Sequence, residues 1–167
     1  TLATYVADRP AAADLVRKIS RGVKDLNTLV SDMLAFTRDL QLVRRDEELG
    51  QIVMESLELA APVLLEHDVN VRVHGSVEGK RIHVDRRLLV RVLLNLVDNA
   101  IKFSPVGGVV TVRAAHPSPE SCYLKVEVVD NGPGIPDEHK ERLFNRFAQL
   151  GGQRGRRRGT GLGLTFC

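Results

Sequence analysis

DRRLLVRVLLNLVDNAIKFSPVGGVVTVRAA, residues 85–115, reads as a capped helix running straight into a strand. Asp85 supplies the side-chain acceptor that a helix start requires, and Ser104-Pro105 marks the stop near Phe103. VVTVRAA (109–115) and CYLKVEVVD (122–130) are the strongest strand patterns in the chain, with HPSPES between them as a hairpin loop.

Upstream, VNVRV (69–73) and RIHV (81–84) read as two more short strands, joined through Gly75 and Gly79. Residues 47–66 read as a helix that Pro62 kinks or ends early. Before that, residues 11–45 form one long helical pattern. Ile19, Val23, Leu26, Val30, Met33, Thr37 and Leu40 step by 4, 3, 4, 3, 4, 3. That is an a/d heptad seam, open to two readings: a dimeric helical bundle, or an amphipathic helix packed on its own domain. Residues 1–8 read as the tail of an earlier helix. A short helix is expected around 137–147, and GTGLGLTFC is expected to open another. The expected fold is α+β, with strands paired mainly with their sequence neighbours, helices on one face and a helical segment in front.

Composition narrows the function. The 167 residues include no Trp, and aromatics make up 4%, which argues against a stacking platform for single-stranded nucleic acid. Net charge is +3, but Arg154, Arg156, Arg157 and Arg158 alone exceed it, so no nucleic-acid-coating surface is implied. Cys122 and Cys167 form no metal pattern and no disulfide framework, which suits a reducing, cytoplasmic setting. No apolar run approaches 18 residues, so no membrane contact is expected within this chain. A chain starting at Thr1 is expected to be an excised piece.

Four motifs carry chemistry. Asn95, Asn99 and Lys102 share one helical stripe, at i, i+4 and i+7. Asn is a poor helix-interior residue; its amide oxygen suits Mg²⁺, while an ammonium suits phosphate. The other reading is a polar stripe bonded to a neighbouring loop. Asp130-Asn-Gly132-Pro-Gly134 follows the best strand: either a turn, or a glycine-shaped pocket whose buried carboxylate accepts from an exocyclic amine such as adenine N6. In LFNRFAQL, Phe144 and Phe147 read as core anchors, and Arg146 is freer to face an anion. Gly159-Thr160-Gly161-Leu162-Gly163 offers backbone N–H groups to phosphate, but it is neither a Walker loop nor a Rossmann turn.

In this order, the four motifs resemble the N, G1, F and G2 boxes of bacterial sensor histidine kinases, within the superfamily shared with gyrase, Hsp90 and MutL. The resemblance covers about residues 12–167. It implies a two-layer Bergerat-type sandwich, a mixed sheet covered by helices on one face, over 46–167, with dimerisation and phosphotransfer helices in part over 1–45. It also implies binding of ATP and Mg²⁺: Asn99 as metal ligand, Asn95 supporting metal and phosphates, Lys102 on phosphate and Phe103 near the nucleoside. Asp130 would take the adenine amine, Gly132 and Gly134 would shape the base pocket, and Arg146 and Phe147 would line the nucleotide site. Gly159, Thr160, Gly161, Leu162 and Gly163 would close the phosphate end of a lid over 148–158. The implied partners are a second copy, through the heptad helix, and a response-regulator receiver domain. The family's acceptor His is expected upstream of Thr1; His67-Asp68 begins like the acceptor motif but sits at the start of a strand, and His74, His83, His116 and His139 do not match it. The family's elements beyond GLGL are missing from the sequence, so four strands are expected in place of five. Two rivals stay open: a nucleotide-holding dimeric sensor without transfer, and an anti-sigma-type serine kinase.

Overall fold

The computed structural model describes residues 12–16, 18–20, 22, 23, 26, 30, 41–145 and 163–167. Strand β1 (Arg45–Glu48) is followed by helix α1 (Leu49–Glu66), β2 (Val69–Val73) and a 3₁₀ turn at Gly75–Val77. Next come β3 (Arg81–Val84), α2 (Arg86–Phe103), β4 (Gly108–Ala115), β5 (Lys125–Val129), the short helix α3 (Asp137–Lys140) and a 3₁₀ turn at Leu164–Phe166.

Two sheets form. β2, β4 and β5 make a mixed sheet, with β2 parallel to β4 and β4 antiparallel to β5. β1 and β3 pair antiparallel as a separate ribbon. On β4, Val110, Val112 and Ala114 alternate into the core and meet the apolar faces of α1 and α2. That is a two-layer α+β sandwich, as expected.

Several element expectations are corrected. The long helical pattern does not reach residue 45: residues 41–44 have no regular secondary structure and Arg45–Glu48 is a strand. With β1, the described residues hold five strands where four were expected. Its sequence, RDEE, has no strand composition; it is held by pairing with β3 rather than by propensity. Only β4 and β5 pair as consecutive strands, because the others lie on either side of an intervening element. α1 starts at Leu49 and runs through Pro62 to Glu66, so the proline neither ends it nor cuts it short. The helix expected over 137–147 ends at Lys140 and continues as turns to Phe144. Of GTGLGLTFC, residues 163–167 are described, and they hold a 3₁₀ turn at Leu164–Phe166; residues 159–162 lie outside the described residues.

α1 and α2 pack directly on each other. Small residues allow the approach: Ala60 is fully buried, and buried Ser56 donates its Oγ proton to the Ile52 carbonyl (2.7 Å) and faces the Val90 carbonyl. Ile52 is itself fully buried in this contact. Ile52→Ala should cost about 2–5 kcal/mol, the usual range for emptying such a site. Urea unfolding of the two proteins checks it; a loss below about 1 kcal/mol would mean that the layers close over the gap.

In the N-terminal segment, residues 12–16, 18–20, 22, 23, 26 and 30 are helical. The seam side chains Ile19, Val23, Leu26 and Val30 are all exposed. The reading in which this helix packs on its own domain therefore fails for those residues. Met33, Thr37 and Leu40 lie outside the described residues, as do residues 1–8.

Candidate nucleotide site

α2 brings the site together. Asp85 caps it, accepting from the Arg87 and Leu88 N–H groups through Oδ1 (3.1 and 3.4 Å). At the other end Ser104 terminates it, its N–H reaching the Ala100 carbonyl before Pro105. Between them Val90, Leu93, Val97, Ala100 and Ile101 are buried, and the stripe Asn95, Asn99 and Lys102 lies to one side of that face.

Each stripe residue has a different setting. Asn95 Nδ2 donates to the Gly163 carbonyl at 3.0 Å, tying the end of the G2 motif to the helix. Gly163 lies so close that an added Cβ would meet Asn95 Oδ1 at 3.4 Å. The bland reading of the stripe, a side chain bonded to a neighbouring loop, is thus right for one of its amide groups. The half-buried Asn99 amide has no hydrogen-bond partner among the described residues. Lys102 Nζ lies 3.5 Å from Asp98 Oδ2, an exposed i, i+4 pair of small energetic weight.

The loop after β5 folds back onto the end of α2. An added Cβ on Gly132 would stand 3.0 Å from the Phe103 carbonyl oxygen, so only glycine lets this loop reach the helix. Gly134 has φ +71°, in the left-handed region. Asp130 Oδ1 accepts from the Gly132 N–H at 2.6 Å, forming the turn. The carboxylate is exposed, which corrects the expectation that it is buried: β5 ends at Val129 and leaves Asp130 on the rim. The turn reading of DNGPG is right, and the turn also closes against the end of α2. Around it Phe103, Val129 and Ile135 expose apolar surface, Phe103 by 46%.

Arg146, Phe147, Gly159, Thr160, Gly161 and Leu162 lie outside the described residues, as does the expected lid at 148–158. Phe144, expected as a core anchor, is exposed. His67 follows the last turn of α1 and precedes β2, off any helical face, as the sequence suggested.

Charge around the base of α2 was not foreseen. Arg86 reaches Glu55 of α1 (Nε 2.9 Å, Nη2 2.7 Å) and Glu47 of β1 (Nη1 3.2 Å). Those hydrogen bonds hold its guanidinium above the ordinary range. Nothing in the spacing of 47, 55 and 86 announces the cluster, because it depends on β1 being a strand.

Residues 84–167 match the family described as Histidine kinase-, DNA gyrase B-, and HSP90-like ATPase. The chain belongs to this ATPase family. The match begins at the last residue of β3, spans α2 and both glycine motifs, and so makes an ATP-binding domain of the region whose geometry is described above. Two similar proteins carry names from signal transduction. The swarming motility regulation sensor protein RssA of Serratia marcescens is 32% identical over 162 residues, 97% of this chain and 32% of RssA. The signal transduction histidine-protein kinase/phosphatase MprB of Mycobacterium leprae is 37% identical over 163 residues, 92% of this chain and 29% of MprB. The chain thus spans about a third of the length of these relatives. Among solved structures, histidine kinase ThkA in complex with response regulator protein TrrA is similar with TM-score 0.68 and 25% identity, covering 85% of this chain and 42% of that one.

Proposed function

We propose that this chain is the ATP-binding catalytic part of a sensor histidine kinase, which transfers the ATP γ-phosphate to a histidine and thence to a response-regulator aspartate. The observation that carries it is Asn99: a half-buried amide with no hydrogen-bond partner among the described residues, on the helix that meets Gly163 on one side and Gly132 at its end. An unpaired amide oxygen there suits a hard divalent cation, so the residues present fit Mg²⁺. Asn99 would hold the ion, and Asn95, with Nδ2 engaged, would support it through Oδ1. Bound Mg²⁺ supplies neutralisation of phosphate charge. Lys102 leaves its weak pair with Asp98 to meet a phosphate. Asp130 accepts from the adenine amine, and Phe103 covers the nucleoside. Arg146, Phe147 and the run Gly159 to Gly163 complete the phosphate side.

The exposed seam Ile19, Val23, Leu26 and Val30 supports a homodimer, whose second helix would cover it. The pairing of ThkA with TrrA supports a receiver domain as the phosphate's destination. No helix among the described residues is long and apolar enough to cross a membrane.

Incubation with γ-labelled ATP tests the reading. Protein that includes the helix upstream of Thr1 should form an acid-labile, alkali-stable phosphate, and ATP should outcompete GTP for the site. Guanine presents a carbonyl oxygen to Asp130, so an acceptor would face an acceptor where adenine offers a donor. Acid-stable label would point to the serine-kinase reading, and ATP binding without any label to the sensor reading.

A further inference from the structure

Asp85 does more than a helix cap needs. One carboxylate oxygen suffices for capping, and Oδ1 alone serves Arg87 and Leu88. Oδ2 accepts instead from the Val43 N–H at 3.0 Å, 42 residues earlier in the chain. The side chain is only 4% exposed. The Val43 bond is the main reason the carboxyl stays below its ordinary range, burial acting against it. Just beyond, Arg45 pairs with Val84, and Arg86 holds Glu47. One carboxylate therefore joins the segment arriving from the N-terminal helix to the first turn of the helix that carries Asn95 and Asn99.

We propose that Asp85 is a positioning residue for phosphoryl transfer: its Oδ2 bond to Val43 fixes the direction in which the chain arrives at the nucleotide domain, and with it the aim of bound ATP at the acceptor. The proposal rests on the histidine-kinase reading. Its chemistry separates it from capping. Asp85→Asn keeps an oxygen for the Arg87 and Leu88 N–H groups but turns an NH₂ donor toward the Val43 donor, so the long-range bond is lost, together with the 3.7 Å ion pair from Oδ2 to the exposed Arg87 guanidinium. Val43→Pro deletes the same bond from the other side and leaves the carboxylate intact.

The experiment uses dimeric protein with the upstream acceptor helix. It measures ATP affinity with a fluorescent analogue and the initial rate of phosphohistidine formation at saturating ATP. Both variants should keep wild-type ATP affinity within about twofold and lose about tenfold or more in rate, since a displacement near 1 Å can cost up to about 100-fold. The double variant should be no slower than the slower single one, because both remove one interaction. Wild-type rates in Asp85→Asn and Val43→Pro would overturn the proposal alone. So would a parallel loss of ATP affinity, which would reduce Asp85 to a cap. A wild-type protein that binds ATP and forms no phosphohistidine would overturn the kinase reading with it.

Discussion

Asn99→Ala is expected to abolish Mg²⁺-dependent ATP binding and to leave the fold as stable as before. The two halves of that result come from one observation. The Asn99 amide has no hydrogen-bond partner among the described residues, so its removal breaks nothing that holds α2 in place. Ala is the better helix former by several tenths of a kcal/mol, so unfolding should be unchanged or slightly delayed. The ligand role predicts the opposite for function. Changing residues that merely support metal ligands costs about 10–100-fold in affinity or activity, and losing the ligand itself should exceed that. Titration of a fluorescent ATP analogue with and without Mg²⁺, beside thermal unfolding, reads both halves. Equal Mg²⁺-dependent affinity in the two proteins would remove Asn99 from the site. A large fall in Tm would show a structural role for the amide.

Gly132→Ala should be nearly as damaging, through shape and not through charge. Its Cβ would stand 2.6 Å from Asp130 Oδ1 and 3.0 Å from the Phe103 carbonyl oxygen. The exposed carboxylate can swing away, at the loss of its bond from the Gly132 N–H. The carbonyl is backbone at the end of α2 and cannot give without shifting that helix or the loop. Either shift moves Asp130 relative to Phe103, the two groups proposed to hold the base. ATP affinity should fall about tenfold or more, each factor of ten being about 1.4 kcal/mol. Gly134→Ala is the control: open space surrounds it, and the penalty is the left-handed φ of +71°, about 1–2 kcal/mol of local strain. Its effect should appear more in stability than in ATP selectivity. An undiminished affinity in Gly132→Ala would mean that the loop does not shape the base pocket.

The candidate site was legible in the sequence where an unusual residue type stands on or beside a regular element. Two Asn on one helical stripe run against helix propensity, and glycines clustered directly after a strong strand mark a turn where backbone can come close to a neighbour. The helix 86–103 was readable end to end, since Asp85 and Ser104-Pro105 are local signals. What escaped was set by distant pairing. RDEE becomes β1 only because RIHV lies beside it, and the triad of Arg86, Glu47 and Glu55 exists only once β1 has formed. Pro62 misled for a related reason: packing of α1 on α2 carries the helix past a residue that local preference would stop at. The exposure of Asp130 depended on where β5 ends, and boundaries are fixed by ladder partners rather than by composition.

The parallel pairing of β2 with β4 has a consequence for how the protein is made. Val69 lies opposite Gly108, 39 residues later, with β3 and the whole of α2 in between. During synthesis β2 leaves the ribosome without its neighbour and waits until the crossover helix and β4 follow. At about 5–20 residues per second that wait lasts seconds, long against the microseconds in which a hairpin such as β4–β5 closes. The nascent chain therefore carries an open strand edge through that interval, until β4 arrives to pair with it.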